Sequence, residues 1–268
     1  MAELLPLPEA VSRFVRSGDS VALEGFTHLI PFAAGHEIIR QRLTGLTLIR
    51  MTPDVIYDQM IGCGCARKLV FSWGGNPGVG SLHRLRDAVE RGWPVPLEIE
   101  EHSHAAMANA YAAGAAGLPC AVFRGYKGSD LIKVNTRIKS IVCPFTGEEL
   151  AAVPALRPDV AIVHAQKADR AGNVLVRGII GVQKEAVLSA RRAAIATVEE
   201  VVDDLGTTGT NAVVFPSWTL AAVAVAPGGA RPSYAHGYYS RDNVFYAAWD
   251  AIARDRERFR GWMEEHLA

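Results

Sequence analysis

Short apolar runs alternate with longer amphipathic stretches along most of this chain. Each run is followed by polar or glycine-containing residues, a pattern typical of buried strands. The predicted strands are 20–23, 46–51, 68–73, 97–100, 121–124, 160–164, 193–198 and 221–226, and the predicted helices are 8–16, 32–42, 81–92, 105–116 and 185–190. Strands that alternate with helices predict an α/β fold, a mainly parallel sheet with helices on both faces. The stretch 144–158 is expected to be irregular and to cross the surface.

The length and composition favour a single large domain over 1–268. The chain has 268 residues, 49% of them hydrophobic, and we find no linker or repeat. Its formal charge is zero, from 28 basic and 28 acidic side chains, which argues against a nucleic-acid partner. The N-terminal stretch lacks the features of a secretion signal, and no apolar run reaches the roughly 18 residues that cross a bilayer. We therefore expect no membrane partner and a cytoplasmic location.

The four cysteines, at 63, 65, 120 and 143, are too few for a disulfide scaffold. Cys63 and Cys65 form a close pair, but no second pair or nearby histidine completes four metal ligands. The sequence therefore predicts reduced thiols and no metal site.

Loops that follow the predicted strands carry the candidate chemistry, because open parallel sheets bind ligands at the carboxyl ends of their strands. Gly25 and Phe26 stand in one such loop, and Gly74, Gly75 and Asn76 stand in another. A glycine-dense turn that opens a helix exposes backbone N–H groups to a phosphate or to a developing oxyanion. A plain tight turn explains the same glycines equally well.

A third loop, 98–104, holds three carboxylates and two imidazoles within seven residues. We expect at least one of Glu101, Ser103 and His104 to line a site, as a general acid or base with a perturbed pKa. The alternative is the start of a capped helix, because serine is a good N-cap and acidic residues favour the first turn. A fourth loop, 124–130, carries Arg124 and Lys127 and either holds an anion or is a solvated surface loop.

Five segments, in order along the chain, carry a common set of motifs. They are residues 17–27 (SGDSVALEGFT), 72–76 (SWGGN), 100–119, 164–178 (HAQKADRAGNVLVRG) and 226–232 (APGGARP). Together they resemble the A (alpha) subunit of the family I coenzyme A transferases, most closely the glutaconate CoA-transferase type. The corresponding family segments are the opening "GD.V..GGF", the "SYVGEN" of another branch, a helix that ends in "AGA.GLP", "AD..GNV..RG" and "AP.GA.P".

This resemblance implies a CoA-transferase-like (NagB/RpiA-like) fold and one subunit of a heteromeric enzyme that moves CoA from an acyl-CoA to a free carboxylic acid. No permanently bound cofactor is implied, since the coenzyme A thioester is itself the substrate. The family reaction passes through a glutamyl-CoA thioester on the B (beta) subunit, so this chain would supply half of an active site in a heterotetramer or larger assembly. The two glycine loops would shape the acyl pocket and its oxyanion contacts, and the 98–104 loop would lie near the thioester.

Two departures from the family pattern keep other functions open. Glu24 stands where the family usually has glycine, and His104 stands where transferases often carry glutamine. Related ring-cleaving acyl-CoA hydrolases of steroid catabolism use a nearby glutamate, so hydrolysis of a cyclic 3-oxoacyl-CoA is the alternative reaction. A non-catalytic scaffold subunit is the alternative without chemistry.

The acyl group itself is not specified by the sequence. Arg124, Lys127 and Arg231 are candidates to meet the distal carboxylate of a glutaconyl or 3-oxoadipyl chain, or are solvated surface charges.

Overall fold

The computed structural model describes residues 1–206 and 208–267, so Thr207 and Ala268 of the predicted domain 1–268 lie outside the described residues. The strands are β1 (Glu3–Leu4), β2 (Ser20–Glu24), β3 (Leu46–Arg50), β4 (Ala66–Phe71), β5 (Glu98–Glu101), β6 (Cys120–Phe123), β7 (Lys139–Val142), β8 (Glu149–Pro154), β9 (Val160–Asp169), β10 (Val174–Arg177), β11 (Ala193–Val202), β12 (Ala212–Phe215) and β13 (Ala222–Val225). The α-helices are α1 (Leu7–Phe14), α2 (Phe32–Arg40), α3 (Val55–Gly62), α4 (His83–Arg91), α5 (His104–Ala115), α6 (Leu131–Val134), α7 (Gln183–Ser189), α8 (Asn243–Arg254) and α9 (Arg256–Leu267).

One large sheet organises the molecule. Its strand order is β1-β13-β11-β9-β2-β3-β4-β5, and every neighbouring pair along this path is parallel. β10 and β12 extend the sheet with antiparallel pairing beside the end of β9. The predicted mainly parallel sheet is confirmed.

Helices cover both faces of this sheet, as predicted. Neighbouring side chains on a strand point to opposite faces, so each central strand contributes to two hydrophobic cores. Val21 and Leu23 of β2 belong to a core shared with α1–α4, α8 and α9. Ala22, between them, belongs to a second core with Met107 and Tyr111 of α5 and with α7. The strands from which the loops leave are therefore fixed by helices packed on both faces of the sheet.

A second, three-stranded antiparallel sheet has the order β6-β8-β7 and packs on α5. Ala106 and Ala110 of the helix meet Ala121, Ile138 and Val153 there. The predicted strand 121–124 exists, but it belongs to this small sheet and not to the parallel one. The expectation of an irregular 144–158 stretch is wrong, because β8 runs through it.

Three helices of eight or more residues, α3, α8 and α9, were not predicted. All eight residues of α3 are buried, including the polar Asp58 and Gln59, so no solvent-facing polar stripe marks this helix in the sequence. α8 and α9 do show apolar spacing, and the Asp242 carboxylate accepts a hydrogen bond from the Phe245 N–H at the start of α8. In the part of the chain that the structure describes, no helix is long and apolar enough to cross a membrane.

Candidate active site

The order of strands reverses between β2 and β9. From β2 the chain builds outward through β3 and β4 to β5, and from β9 it builds in the other direction through β11 to β13. In open α/β sheets the crevice at such a switch point is where ligands bind. Gly25 and Phe26 directly follow β2, so the structure places these two predicted site residues at the switch point.

The loop between β2 and α2 has a tightly constrained backbone. A Cβ atom on Gly25 would lie 2.5 Å from the Leu29 carbonyl oxygen and 2.9 Å from the Ile30 Cα, so only glycine fits there. Thr27 and Leu29 adopt left-handed φ angles of 59° and 53°, which are uncommon for residues with side chains and often occur at functional sites.

The side chain of His28 anchors the loop between β2 and α2. Its ring is fully buried, and Nε2 accepts a hydrogen bond from the His236 N–H at 3.2 Å. The other ring nitrogen, Nδ1, therefore carries the proton and lies 3.4 Å from the Ile179 carbonyl oxygen. Burial lowers the pKa of His28 to about 4, so this imidazole is neutral at physiological pH and holds the loop without a charge.

Glu24 ends β2 directly under the same loop and is only 3% exposed. Its Oε1 accepts hydrogen bonds from the Tyr111 hydroxyl at 2.9 Å and from the Met51 N–H at 3.3 Å. Burial raises the pKa of Glu24 to about 7, against the opposing effect of Arg50. The Arg50 guanidinium, also buried, donates to the Gly25 carbonyl at 2.8 Å and joins the charged cluster to the loop.

A second buried cluster, which sequence reading missed, lies beside β9. His164 Nε2 lies 2.7 Å from Glu199 Oε1, and the same carboxylate accepts from the Gly228 N–H at 2.6 Å and the Tyr239 hydroxyl at 2.5 Å. Although burial opposes it, hydrogen bonding from His164 and Tyr239 lowers the pKa of Glu199. An ionised Glu199 on β11 thus links Gly228, in the loop after β13, to His164 of β9. The only sequence signal for this cluster was the motif segment that begins at His164.

The glycine loop after β4 turns partly inward. Gly74 is exposed, but Gly75 and Asn76 are buried. The Asn76 amide donates to the Tyr246 carbonyl of α8 at 2.7 Å. The N–H groups of Gly75 and Asn76 already donate to Pro53 and Gly80, at 3.2 and 2.8 Å. This loop is therefore anchored to α8, and two of its predicted anion-binding N–H groups are used inside the protein.

The 98–104 loop forms the start of α5. Ser103 is its N-cap, accepting from the Ala106 N–H at 3.1 Å, and Glu101 and His104 are exposed. β5 is three strands from β2, which at about 4.8 Å per strand is about 14 Å from the switch point. The structure thus does not bring these three predicted residues together with Gly25 and Phe26 within one chain.

His102, which the sequence prediction passed over, is the buried member of that loop. Its Nε2 donates to Glu100 at 2.9 Å, and its Nδ1 lies 3.3 Å from the Tyr126 hydroxyl. Burial would raise the pKa of Glu100, but His102 and Lys68, the latter 2.8 Å away, lower it to about 2. This cluster joins the end of β5 to the small sheet.

The three candidate cations lie in different places. Arg124 pairs with Glu148 at 2.8 Å on the small sheet, and Lys127 is exposed in the same region. Arg231 lies in the loop after β13, its guanidinium 4.4 Å from the centre of the Tyr239 ring. Of these three, Arg231 is the one at the strand-end side of the large sheet.

Comparison with known proteins assigns the class. A model of the coenzyme A transferase family matches residues 6–226, and the chain belongs to this family. Within it the chain is of the A (alpha) type. It is 69% identical over 267 residues to the A subunit of 3-oxoadipate CoA-transferase from Pseudomonas knackmussii, an alignment that covers 100% of this chain and 94% of that protein. The predicted family and the predicted alpha type are confirmed.

A more distant relative has a known structure. The A subunit of glutaconate CoA-transferase from Acidaminococcus fermentans is 32% identical over 285 residues, covering 99% of this chain and 88% of that protein. The crystal structure of glutaconate CoA-transferase from that bacterium superposes with a TM-score of 0.91 at 31% identity, over 99% of this chain and 89% of that chain. The predicted CoA-transferase-like fold is confirmed.

Proposed function

We propose that this chain is the A subunit of a heteromeric enzyme that transfers CoA from an acyl-CoA to a free dicarboxylic 3-oxo acid such as 3-oxoadipate. The observation that carries the proposal is the 69% identity, over the whole chain, to the A subunit of a 3-oxoadipate CoA-transferase. Coenzyme A enters and leaves as a thioester substrate, and no permanently bound cofactor takes part. We also propose that the enzyme acts in the cytoplasm.

The proposed reaction passes through a glutamate of the B subunit. That carboxylate attacks the acyl-CoA thioester, and CoA moves to the glutamyl group while the first acid is released; the second acid then takes the CoA by the reverse steps. The two buried glutamates described above are poorly suited to this role. Glu24 is buried with a raised pKa, and Glu199 is held by three hydrogen bonds.

The A subunit would contribute the walls of the pocket. We propose that Gly25 and Phe26 contact the acyl chain at the switch point and that the loop of Gly74, Gly75 and Asn76 forms a side wall. The loop after β13 would bring Arg231 toward a distal carboxylate.

The end of β5 is the second part of the proposed site. We propose that Glu101 and His104, both exposed, reach a thioester held between the two subunits, and that Ser103 positions them as the cap of α5. On this proposal the substrate-binding site is incomplete without the B subunit, in an assembly that we expect to be a heterotetramer or larger.

The test is an exchange assay on the co-purified A and B subunits with an acyl-CoA donor and 3-oxoadipate. We expect 3-oxoadipyl-CoA to form only when both subunits are present. Borohydride added after preincubation with acyl-CoA should reduce the glutamyl thioester and modify a glutamate of the B subunit. Release of free acid without an acceptor would instead identify a hydrolase and contradict the proposal.

The role of the 98–104 loop is tested by Glu101→Ala and His104→Ala in the assembled enzyme, with the exposed Glu264→Ala as the matched control. If these residues act at the thioester, kcat should fall by about two orders of magnitude or more, the usual effect of losing a general acid or base. Unchanged turnover and unchanged acyl-CoA affinity in both variants would leave this loop with a purely structural role.

A further inference from the structure

A cavity of about 310 Å³ lies between α2, α3, α9 and the segment 231–245. At roughly 30 Å³ per water molecule this space is about ten waters in size, near the lower limit of small-molecule sites. Apart from Arg231, none of the residues that line it is a candidate for the transferase site. We call it the α2–α9 cavity.

Hydrogen-bond donors dominate the polar part of its wall. Gln59 is fully buried, its Oε1 accepts from His36 Nε2 at 2.8 Å, and its amide nitrogen has no partner among the described residues. A buried N–H group without an acceptor is unfavourable, so a ligand oxygen at this position would be stabilised.

The charges of the wall favour an anion. Arg40 and Arg231 both line the cavity; Arg40 has only a 3.5 Å contact with Glu37, and Arg231 stacks on the Tyr239 ring. The one carboxylate among the lining residues, Asp242, already caps α8 by accepting from a backbone N–H at 2.9 Å. The lining side chains thus carry two guanidinium groups and one carboxylate, and among the described residues Arg231 has no ion-pair partner that would compete with a bound anion.

The rest of the wall is aromatic and flat. Phe245 and Trp262 line the cavity with their ring centres 5.7 Å apart, and the His266 ring stacks on Trp262 at 4.2 Å with planes only 12° apart. Flat aromatic surfaces of this kind favour a planar ligand that stacks on them or meets them edge to face.

We propose that the α2–α9 cavity is a second binding site, for a small planar carboxylate. The carboxylate would accept from the Gln59 amide and from Arg231 or Arg40, and the planar body would lie against Trp262 and Phe245. Arg231 is the one residue that this site would share with the proposed transferase pocket, and Gln59, Arg40, Trp262 and Phe245 belong to the cavity alone.

The test is isothermal titration calorimetry on the full-length protein with benzoate, which is planar and charged. Benzamide has the same ring without the charge, and acetate has the charge without the ring. We expect saturable benzoate binding with a dissociation constant on the order of 1 mM or tighter, and at least about tenfold weaker binding of the other two. Arg231→Gln and Gln59→Leu should each weaken benzoate binding about tenfold.

The control is Arg258→Gln, which removes an exposed arginine of α9 that does not line the cavity. This variant should bind benzoate with unchanged affinity. Arg40→Gln provides a further variant if one of the others loses its circular dichroism spectrum. Absence of saturable benzoate binding, equal binding of acetate, or unchanged affinity in the cavity variants that remain folded would overturn the proposal.

Discussion

At the scale of single residues, Glu24 gives the switch point a titratable group in the neutral range. Its carboxyl group lies among Arg50, Tyr111 and the Met51 N–H, and burial is the main reason that its pKa is raised to about 7. In the unfolded chain an ordinary glutamate has lost its proton well below this pH. The folded state therefore loses stability as pH rises between these two values.

We predict that Glu24→Gln removes this pH dependence while keeping the hydrogen bonds from Tyr111 and Met51. Wild type should lose up to about 3 kcal/mol of unfolding free energy between about pH 4.5 and pH 7 because of Glu24, and the variant should not lose this part. Urea unfolding across that range measures the difference. The exposed Glu264→Gln is the control and should follow wild type, and a variant with the same slope as wild type would contradict the assigned pKa.

Glycine at position 25 is required by backbone contact, which leads to a second prediction. Gly25→Ala should destabilise the protein by several kcal/mol, or displace the loop and abolish transferase activity, because its Cβ would meet the Leu29 carbonyl at 2.5 Å. Gly261→Ala, in helix α9 with no atom within 4 Å of the new Cβ, should instead stabilise by up to about 1 kcal/mol. Thermal unfolding of both variants tests this contrast.

Some of these residues were visible in the sequence and others were not, for a physical reason. Gly25 and Ser103 act within a few residues of their own position, so turn and cap preferences reveal them. Glu199 acts on His164 only because β11 and β9 pair in the register that sets Thr197 beside His164. A contact that depends on strand register cannot be found from local spacing.

At the scale of elements, substitutions of Ser103 at the start of α5 distinguish a structural role of this residue from a chemical one. Ser103→Ala should cost about 1 kcal/mol of stability, because it removes the N-cap that accepts from Ala106. Ser103→Asp keeps a capping oxygen and should restore that stability. If Ser103→Asp is stable and fully active in the assembled enzyme, the hydroxyl has no part in the reaction; a stable but inactive variant would assign it one.

The elements that sequence reading placed correctly are those with a clear apolar run and a turn at each end. Strands β2, β3 and β9 begin where the pattern predicted. α3 was missed because it is buried on every side, and β7 was missed because all four of its residues are exposed. Periodicity detects an element only when one of its faces differs from the other.

At the scale of the whole molecule, α5 connects the two sheets, which supports the prediction of one domain over 1–268. Met107 and Tyr111 pack on the large sheet, whereas Ala106 and Ala110 pack on the small one. We predict that urea unfolding followed by tryptophan fluorescence and by far-ultraviolet circular dichroism gives coincident transitions. A separate early transition of the small sheet, seen as faster amide exchange in β6–β8 than in β9, would indicate two domains.

The large sheet has two halves, β1-β13-β11-β9 and β2-β3-β4-β5, which meet where β9 pairs with β2. Gly25 lies at this junction, and its surroundings are set by its own loop, because an added Cβ would lie 2.5 Å from the Leu29 carbonyl oxygen and 2.9 Å from the Ile30 Cα. An insertion at β1 or β5, the two ends of the strand order, is therefore expected to leave the backbone at Gly25 unchanged.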